Sequence, residues 1–161
     1  MQTRALALLA VLLCVGCPSK EGERQDAQTS SSGTAPVGSG PLANVEATPY
    51  INEVWTDEDG NKLAMLYFTQ SNLRISASCR NGAGQLQCAA INQLRSGMPI
   101  GVPRRELTGS VSAGTKACMK ANYRLTMGHN SVGDQDGFCT FPDGSMVSTG
   151  ALEHYGMRIL E

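Results

Sequence analysis

The groups in this sequence that could do chemistry are thiols, imidazoles and clustered carboxylates, and the six cysteines lead them. Cys79, Cys88, Cys118 and Cys139 stand in the part of the chain expected to fold. Nucleophilic catalysis by any of them needs a free thiol with a base in reach. The chain has two histidines, so a Cys–His site could draw only on His129 or His154. An even set of cysteines in an exported protein reads instead as disulfides, which consume the thiols. Zinc calls for Cys-x-x-Cys or His-x-His spacing, and neither occurs in that stretch, so no metal site is expected. Asp57-Glu58-Asp59-Gly60 and Asp134-Gln135-Asp136-Gly137 look like fragments of a calcium loop. Neither continues to the bidentate glutamate such a loop requires, and Asp/Gly pairs are ordinary turn chemistry. No glycine-rich phosphate cradle is present, and no cofactor is expected. Arg104-Arg105 reads as solvated surface, and a net charge of −1 offers no basic face for nucleic acid.

The N-terminus carries a different kind of chemistry. Arg4 precedes Ala5–Val15 (ALALLAVLLCV), an uncharged apolar stretch. It is too short to cross a hydrocarbon core of about 30 Å as a helix. It ends in Cys14-Val15-Gly16-Cys17, where a small residue directly precedes a cysteine. That ending resembles the lipobox of bacterial lipoproteins, in which the cysteine thiol receives diacylglycerol and the signal is cut just before it. The resemblance implies a signal peptide over residues 1–16, lipidation at Cys17, and an envelope membrane as first partner. Pro18 follows the cysteine where an inner-membrane retention signal would place Asp, which favours the outer membrane. Two or more acyl chains anchor stably, because each buried CH₂ contributes about 0.8 kcal/mol.

From Cys17 to Asn44 the chain is rich in Gly, Ser, Pro and charge, with no aromatic residue. Such a segment cannot bury enough apolar surface to offset chain entropy, so it reads as a disordered tether. A flexible chain of that length spans roughly 30 Å.

The rest must position whatever chemistry remains. Tyr50–Thr56 and Leu63–Phe68, joined by Asp57–Lys62, read as a β-hairpin. Leu73, Ile75, Ala77 and Cys79 share one face at period two, opposite Arg74, Ser76 and Ser78. The turn Arg80–Gln85 and a return strand over Leu86–Ile91 would let a Cys79–Cys88 bridge close a second hairpin. A loop that short contributes about 2–3 kcal/mol when closed. Glycine and proline between Asn92 and Ser112 argue against a long helix. Ala113, Ala117 and Ala121 recur every four residues beside Cys118, predicting one short helix over 113–122 with Lys116 and Lys120 outward. Strands follow over 123–128, 137–141 and 146–149, the last two joined by Pro142-Asp143-Gly144-Ser145, a strong turn signal. Cys118 on the helix and Cys139 on a central strand would then staple helix to sheet. Trp55, Phe68 and Phe141 are expected in the core. The fold class is α+β: small disulfide-stapled modules, β-hairpins plus a short helix on an antiparallel sheet. The division runs 45–111, a small β-rich region, and 112–161.

The C-terminal stretch has a recognisable shape. Gly137-Phe138-Cys139-Thr140-Phe141-Pro142-Asp143-Gly144-Ser145, with Cys118 upstream, resembles the Gly-x-Cys-x-Phe-Pro-Asp-Gly-Ser core of a family of small bacterial envelope lipoproteins. That family is labelled hemolysin and is a domain of unknown function. Gly114-Thr115-Lys116-Ala117 stands where the family tends to carry Asn-Pro-Ala. The resemblance implies fold and location and transfers no catalytic residue.

Together these readings point to a non-enzymatic envelope lipoprotein acting as a binding or structural module, with an envelope protein as possible partner. An alternative is an inhibitor of a periplasmic or surface enzyme, presenting Arg80–Gln85 or His129–Gln135, or a membrane-active effector. Radiolabelled palmitate is expected to enter the wild-type chain and not Cys17→Ser; equal labelling of both would remove the lipoprotein assignment.

Overall fold

The computed structural model describes residues 40–161; residues 1–16, expected as a signal peptide, Cys17, and the expected tether as far as residue 39 lie outside the described residues. Six strands, β1 (Ile51–Asp57), β2 (Lys62–Phe68), β3 (Leu73–Ser76), β5 (Arg124–His129), β6 (Gln135–Thr140) and β7 (Met146–Ser148), close into an antiparallel barrel. Their order is β1-β2-β3-β7-β6-β5. Strands from both sides of Ser112 thus share one closed sheet. A separate parallel pair joins β4 (Ile100–Pro103) to β8 (Met157–Leu160). Two short helices, α1 (Ala89–Arg95) and α2 (Ala113–Lys120), and a single α-turn, α3 (Thr149–Ala151), accompany the sheets. The α-turn runs on as a π-helical turn over Leu152–Gly156.

Both barrel seams are short. β1 meets β5 only at Thr56↔His129 and Asp57↔Gly128, and β3 meets β7 at Ile75↔Val147. At the second seam a side chain extends the ladder: the Met146 amide donates to Ser76 Oγ at 2.6 Å, and that hydroxyl donates to the Met146 carbonyl at 3.3 Å.

Strand alternation sorts the apolar residues into two cores. Trp55, Leu63, Met65 and Phe138 pack together with Met146 in the barrel interior. The neighbours of three of them, Leu66, Cys139 and Val147, face the opposite way into a larger core under the helices. Phe68, Leu73, Ile75, Ile91 and Leu152 fill that larger core. Trp55, Phe68 and Phe141 are all buried, as their scarcity suggested.

One loop design recurs four times. After Asp57, Asn81, Asn130 and Phe141 the chain turns back at Gly60, Gly84, Gly133 and Gly144, all with φ between 80° and 91°. In each, the glycine amide donates to the carbonyl three residues earlier. This is the three-residue hairpin loop with a left-handed glycine. The Asn81 and Asn130 side chains brace their loops by accepting from two backbone amides each. Asp57 does likewise with the amides of Asp59 and Asn61, so the first calcium-like fragment is a turn.

Both disulfides form as the hairpin and staple geometry required: Cys79–Cys88 with Cα atoms 5.1 Å apart, and Cys118–Cys139 at 5.6 Å. Three local readings change. The period-two strand from Leu73 stops at Ser76 and turns through a 3₁₀ segment over Ala77–Cys79. The return strand over Leu86–Ile91 is a single bridge, Arg80↔Leu86, after which α1 begins at Ala89. Its N-terminus is capped from afar, with the Ala89 amide donating to Asp143 Oδ2 (2.7 Å) and the Ala90 amide to Ser145 Oγ (3.0 Å). A cap supplied fifty residues downstream leaves no mark in the local sequence. Finally, Leu42, read as tether, is buried beside Val45, because Arg95 ties that entry segment down through the Leu42 carbonyl and Glu46.

The small face of α2 meets α3 backbone to backbone. A Cβ on Gly114 would lie 1.8 Å from the Thr149 carbonyl oxygen, whereas one on Gly150 meets nothing within 4 Å. Gly114→Ala should therefore destabilise the fold by about 1–3 kcal/mol, and Gly150→Ala should not; urea midpoints of the two variants check this.

Candidate functional site

The residues singled out for chemistry do not assemble. All of Cys79, Cys88, Cys118 and Cys139 are in disulfides and have no thiol to offer. His129 lies exposed at the end of β5, and His154 lies exposed on the π-helical turn. Arg104 and Arg105 are exposed, and Arg104 pairs with Glu161 at 2.8 Å. Among the described residues no group of three or more His, Cys, Asp or Glu converges on a point where a metal could sit. The second calcium-like fragment is split: Asp134 belongs to the Asn130 loop, while Asp136 sits on β6 facing Arg74. Pro142, Asp143 and Gly144 form the expected turn, and Asp143 with Ser145 also holds α1. Among the described residues no helix is long and apolar enough to cross a membrane.

Two arrangements emerge that residue types alone did not signal. The first lies at one end of the barrel interior. The Arg74 guanidinium lies 3.9 Å from the Tyr67 ring centre and 5.5 Å from that of Trp55. Its Nε donates to Glu53 at 2.9 Å, and its Nη1 lies 3.6 Å from Asp136. The Trp55 indole N–H donates to the same Glu53 oxygen at 2.8 Å. One cation thus balances two carboxylates while its faces rest on aromatic rings, which ties β1, β2, β3 and β6 together. Burial pushes the Asp136 carboxyl above its ordinary value of 3.8; the Arg74 charge opposes this, and Glu53 adds to it. The five side chains set two carboxylates about one cation and bind four strands together, an architectural role.

The second arrangement is a cleft of about 610 Å³, within the range of small-ligand sites. One wall is the 3₁₀ corner Gln70–Asn72, another is the π-helical turn with Glu153, His154 and Tyr155, and a third is β8. Three consecutive β8 residues, Met157, Arg158 and Ile159, line it. The walls are held rigidly. The Tyr155 hydroxyl donates to the Ser71 carbonyl at 2.7 Å, and His154 packs edge-on against Tyr155 with ring centres 4.5 Å apart. Glu153 accepts from the Gly114 amide at 3.1 Å, so its carboxylate is already engaged. Gly156 permits the tight turn into β8, since a Cβ there would lie 2.6 Å from Leu152 Cδ1. π-Helical turns are rare and concentrate at functional sites. The cleft offers an imidazole, a guanidinium, amide side chains and a strand edge.

The sequence reading missed this cleft because its walls, Gln70–Asn72 and the chain from Glu153 to Ile159, lie far apart in sequence. The only local hint was the weak alternation of Met157-Arg158-Ile159-Leu160. Compared with protein-family models, curated proteins and solved structures, the chain matches none.

The two aspartates should respond to pH with opposite signs. Asp136 has a raised folded-state value, so its contribution is full below the unfolded value and is lost as pH rises through the folded one. Asp143 is pushed up by partial burial, but hydrogen bonds from the Ser145 side chain and the Ala89 amide outweigh that and hold it low. Its contribution is present at neutral pH and is lost as pH falls through the depressed value. Urea midpoints in acid and at neutral pH are expected to show Asp136→Asn gaining on wild type as pH rises. Asp143→Asn should fall behind over the same interval.

Proposed function

We propose that this chain is a lipid-anchored protein of the bacterial envelope, held through Cys17 at the outer membrane, and that its folded part is a non-catalytic binding module. The observation that carries the binding half of this reading is the cleft between the Gln70–Asn72 corner, the π-helical turn and β8, with its rigid walls and unmatched polar groups. The anchor half rests on Ala5–Val15 followed by Cys14-Val15-Gly16-Cys17. The likeness of residues 137–145 to the hemolysin-labelled lipoprotein core supports the same address. Within the fold that motif supplies a turn, a disulfide half and a helix cap, all architectural duties.

A flexible tether suits such a module. It frees the cleft to sample orientations above the bilayer and raises the local concentration of any envelope component it meets. Catalysis is not required by anything in this arrangement, and lysis would call for a membrane-inserting element that this reading does not include.

Two measurements test the proposal. Full-length Cys17→Ser protein at micromolar concentration should leave dye-loaded phosphatidylethanolamine/phosphatidylglycerol vesicles intact; release of the dye would favour a membrane-active effector. Intact lipoprotein recovered from envelope membranes in mild detergent should bring down a stoichiometric component that is lost with Arg158→Glu and kept with Arg105→Ala. Loss with neither variant would move the binding surface away from the cleft.

A further inference from the structure

We infer that the free edge of β8 receives an extended peptide carrying a carboxylate side chain opposite Arg158, which lies in the cleft as a third strand beside β8 and β4. This rests on the binding-module reading and names the class of partner for that site.

The geometry supports it in three ways. β8 has β4 on one side only, in the register Ile100↔Met157 to Pro103↔Leu160. Its other side borders the cleft, which is why consecutive residues line it, where a strand seen face-on would contribute alternate ones. A strand directs half its amides and carbonyls to each side, so those not used by β4 face this space. None of the backbone hydrogen bonds outside the regular ladders involves Met157–Leu160. Such an edge is a template for another strand, and peptide recognition commonly exploits it.

Side chains then define the guest. Ile159, which lines the cleft, is 48% exposed, an apolar position that an added strand would cover. Among the described residues Arg158 has no carboxylate within 4.0 Å, whereas Arg95 and Arg104 each have one and Arg74 has two; Arg80, Arg105 and Arg124 also have none, but they lie outside the cleft. Glu153, the acidic group in the cleft, is turned to the Gly114 amide at the α2 end. The unmatched cation therefore selects an acidic residue on the incoming strand, and His154 adds a second polar contact. A partner pairing with all of β8 needs about four extended residues, or about 13 Å.

The test uses the full-length chain in detergent micelles and the probe peptide acetyl-Thr-Glu-Val-Glu-Val-Thr-amide. Hydrogen–deuterium exchange read by mass spectrometry should slow at least tenfold over residues 157–161 when the peptide saturates, with residues 51–55 of β1 unchanged. The same peptide N-methylated at alternate residues cannot pair as a strand and should give no protection. Arg158→Glu should weaken the probe at least tenfold and favour its Lys-for-Glu counterpart, with the urea midpoint confirming that the variant folds. Equal protection by the N-methylated peptide, protection at β1 in place of β8, or none at all would overturn the inference. If β8 stays unprotected while the Arg158-dependent component still co-purifies and vesicles stay intact, the binding-module reading stands and only the strand-addition mode falls. Vesicle lysis would remove the reading itself.

Discussion

The Cys118–Cys139 disulfide joins α2 to β6 one residue before the end of that strand, and the two cores are arranged around that one cross-link. Phe138, the neighbour of Cys139, points the other way and packs edge-on against Trp55 with ring centres 5.3 Å apart. Because successive strand residues face opposite sides, fixing Cys139 under the helices also fixes Phe138 inside the barrel. The two cores are therefore registered to each other by a single strand. Close approach of α2 to α3 follows from the same anchor, and Gly114 is the residue that allows it.

With so few aromatic residues, the barrel cannot fill its interior with apolar bulk alone. Arg74 supplies the remaining volume, its stem and guanidinium lying against Tyr67 and Trp55 while Glu53 and Asp136 balance its charge. The arrangement carries a cost, visible in the raised Asp136 value, because two carboxylates share one cation in a partly desolvated place. The exposed pair Arg104–Glu161 makes a contrast: screened by water, it contributes little.

Much of this architecture was legible along the chain. Period-two alternation and glycine turns placed β1, β2, β5, β6 and β7 within a residue or two, and alanine spacing placed α2. The Cys118–Cys139 pair followed from the helix and strand on which those cysteines fell, and Cys79–Cys88 from the glycine-rich turn between them, although neither of these two lies on a strand. Asp136, by contrast, looked like part of an acidic turn, and Arg74 looked like the solvent side of an amphipathic strand. Each is a correct local reading that closure of the sheet reverses, since a barrel gives its strands no open face on that side. α1 was read as a strand because its cap comes from Asp143 and Ser145, far away in sequence. β8 was missed because its four residues acquire meaning only beside β4, across a long stretch of intervening chain.

By itself the sequence determined the turn positions, the disulfide pairs and the alternating strands. These are short-range properties, set by side-chain type, φ preference and period. Tertiary structure alone decided that the sheet closes, that Arg74, Glu53 and Asp136 meet within it, and that a strand edge borders a cleft. Those features depend on contacts between residues many positions apart, for which local periodicity carries no information. The cysteine chemistry that appears first on reading the chain is spent on holding the fold together. What the cleft presents is a guanidinium, an imidazole and a row of backbone amides that only the folded chain brings to one place.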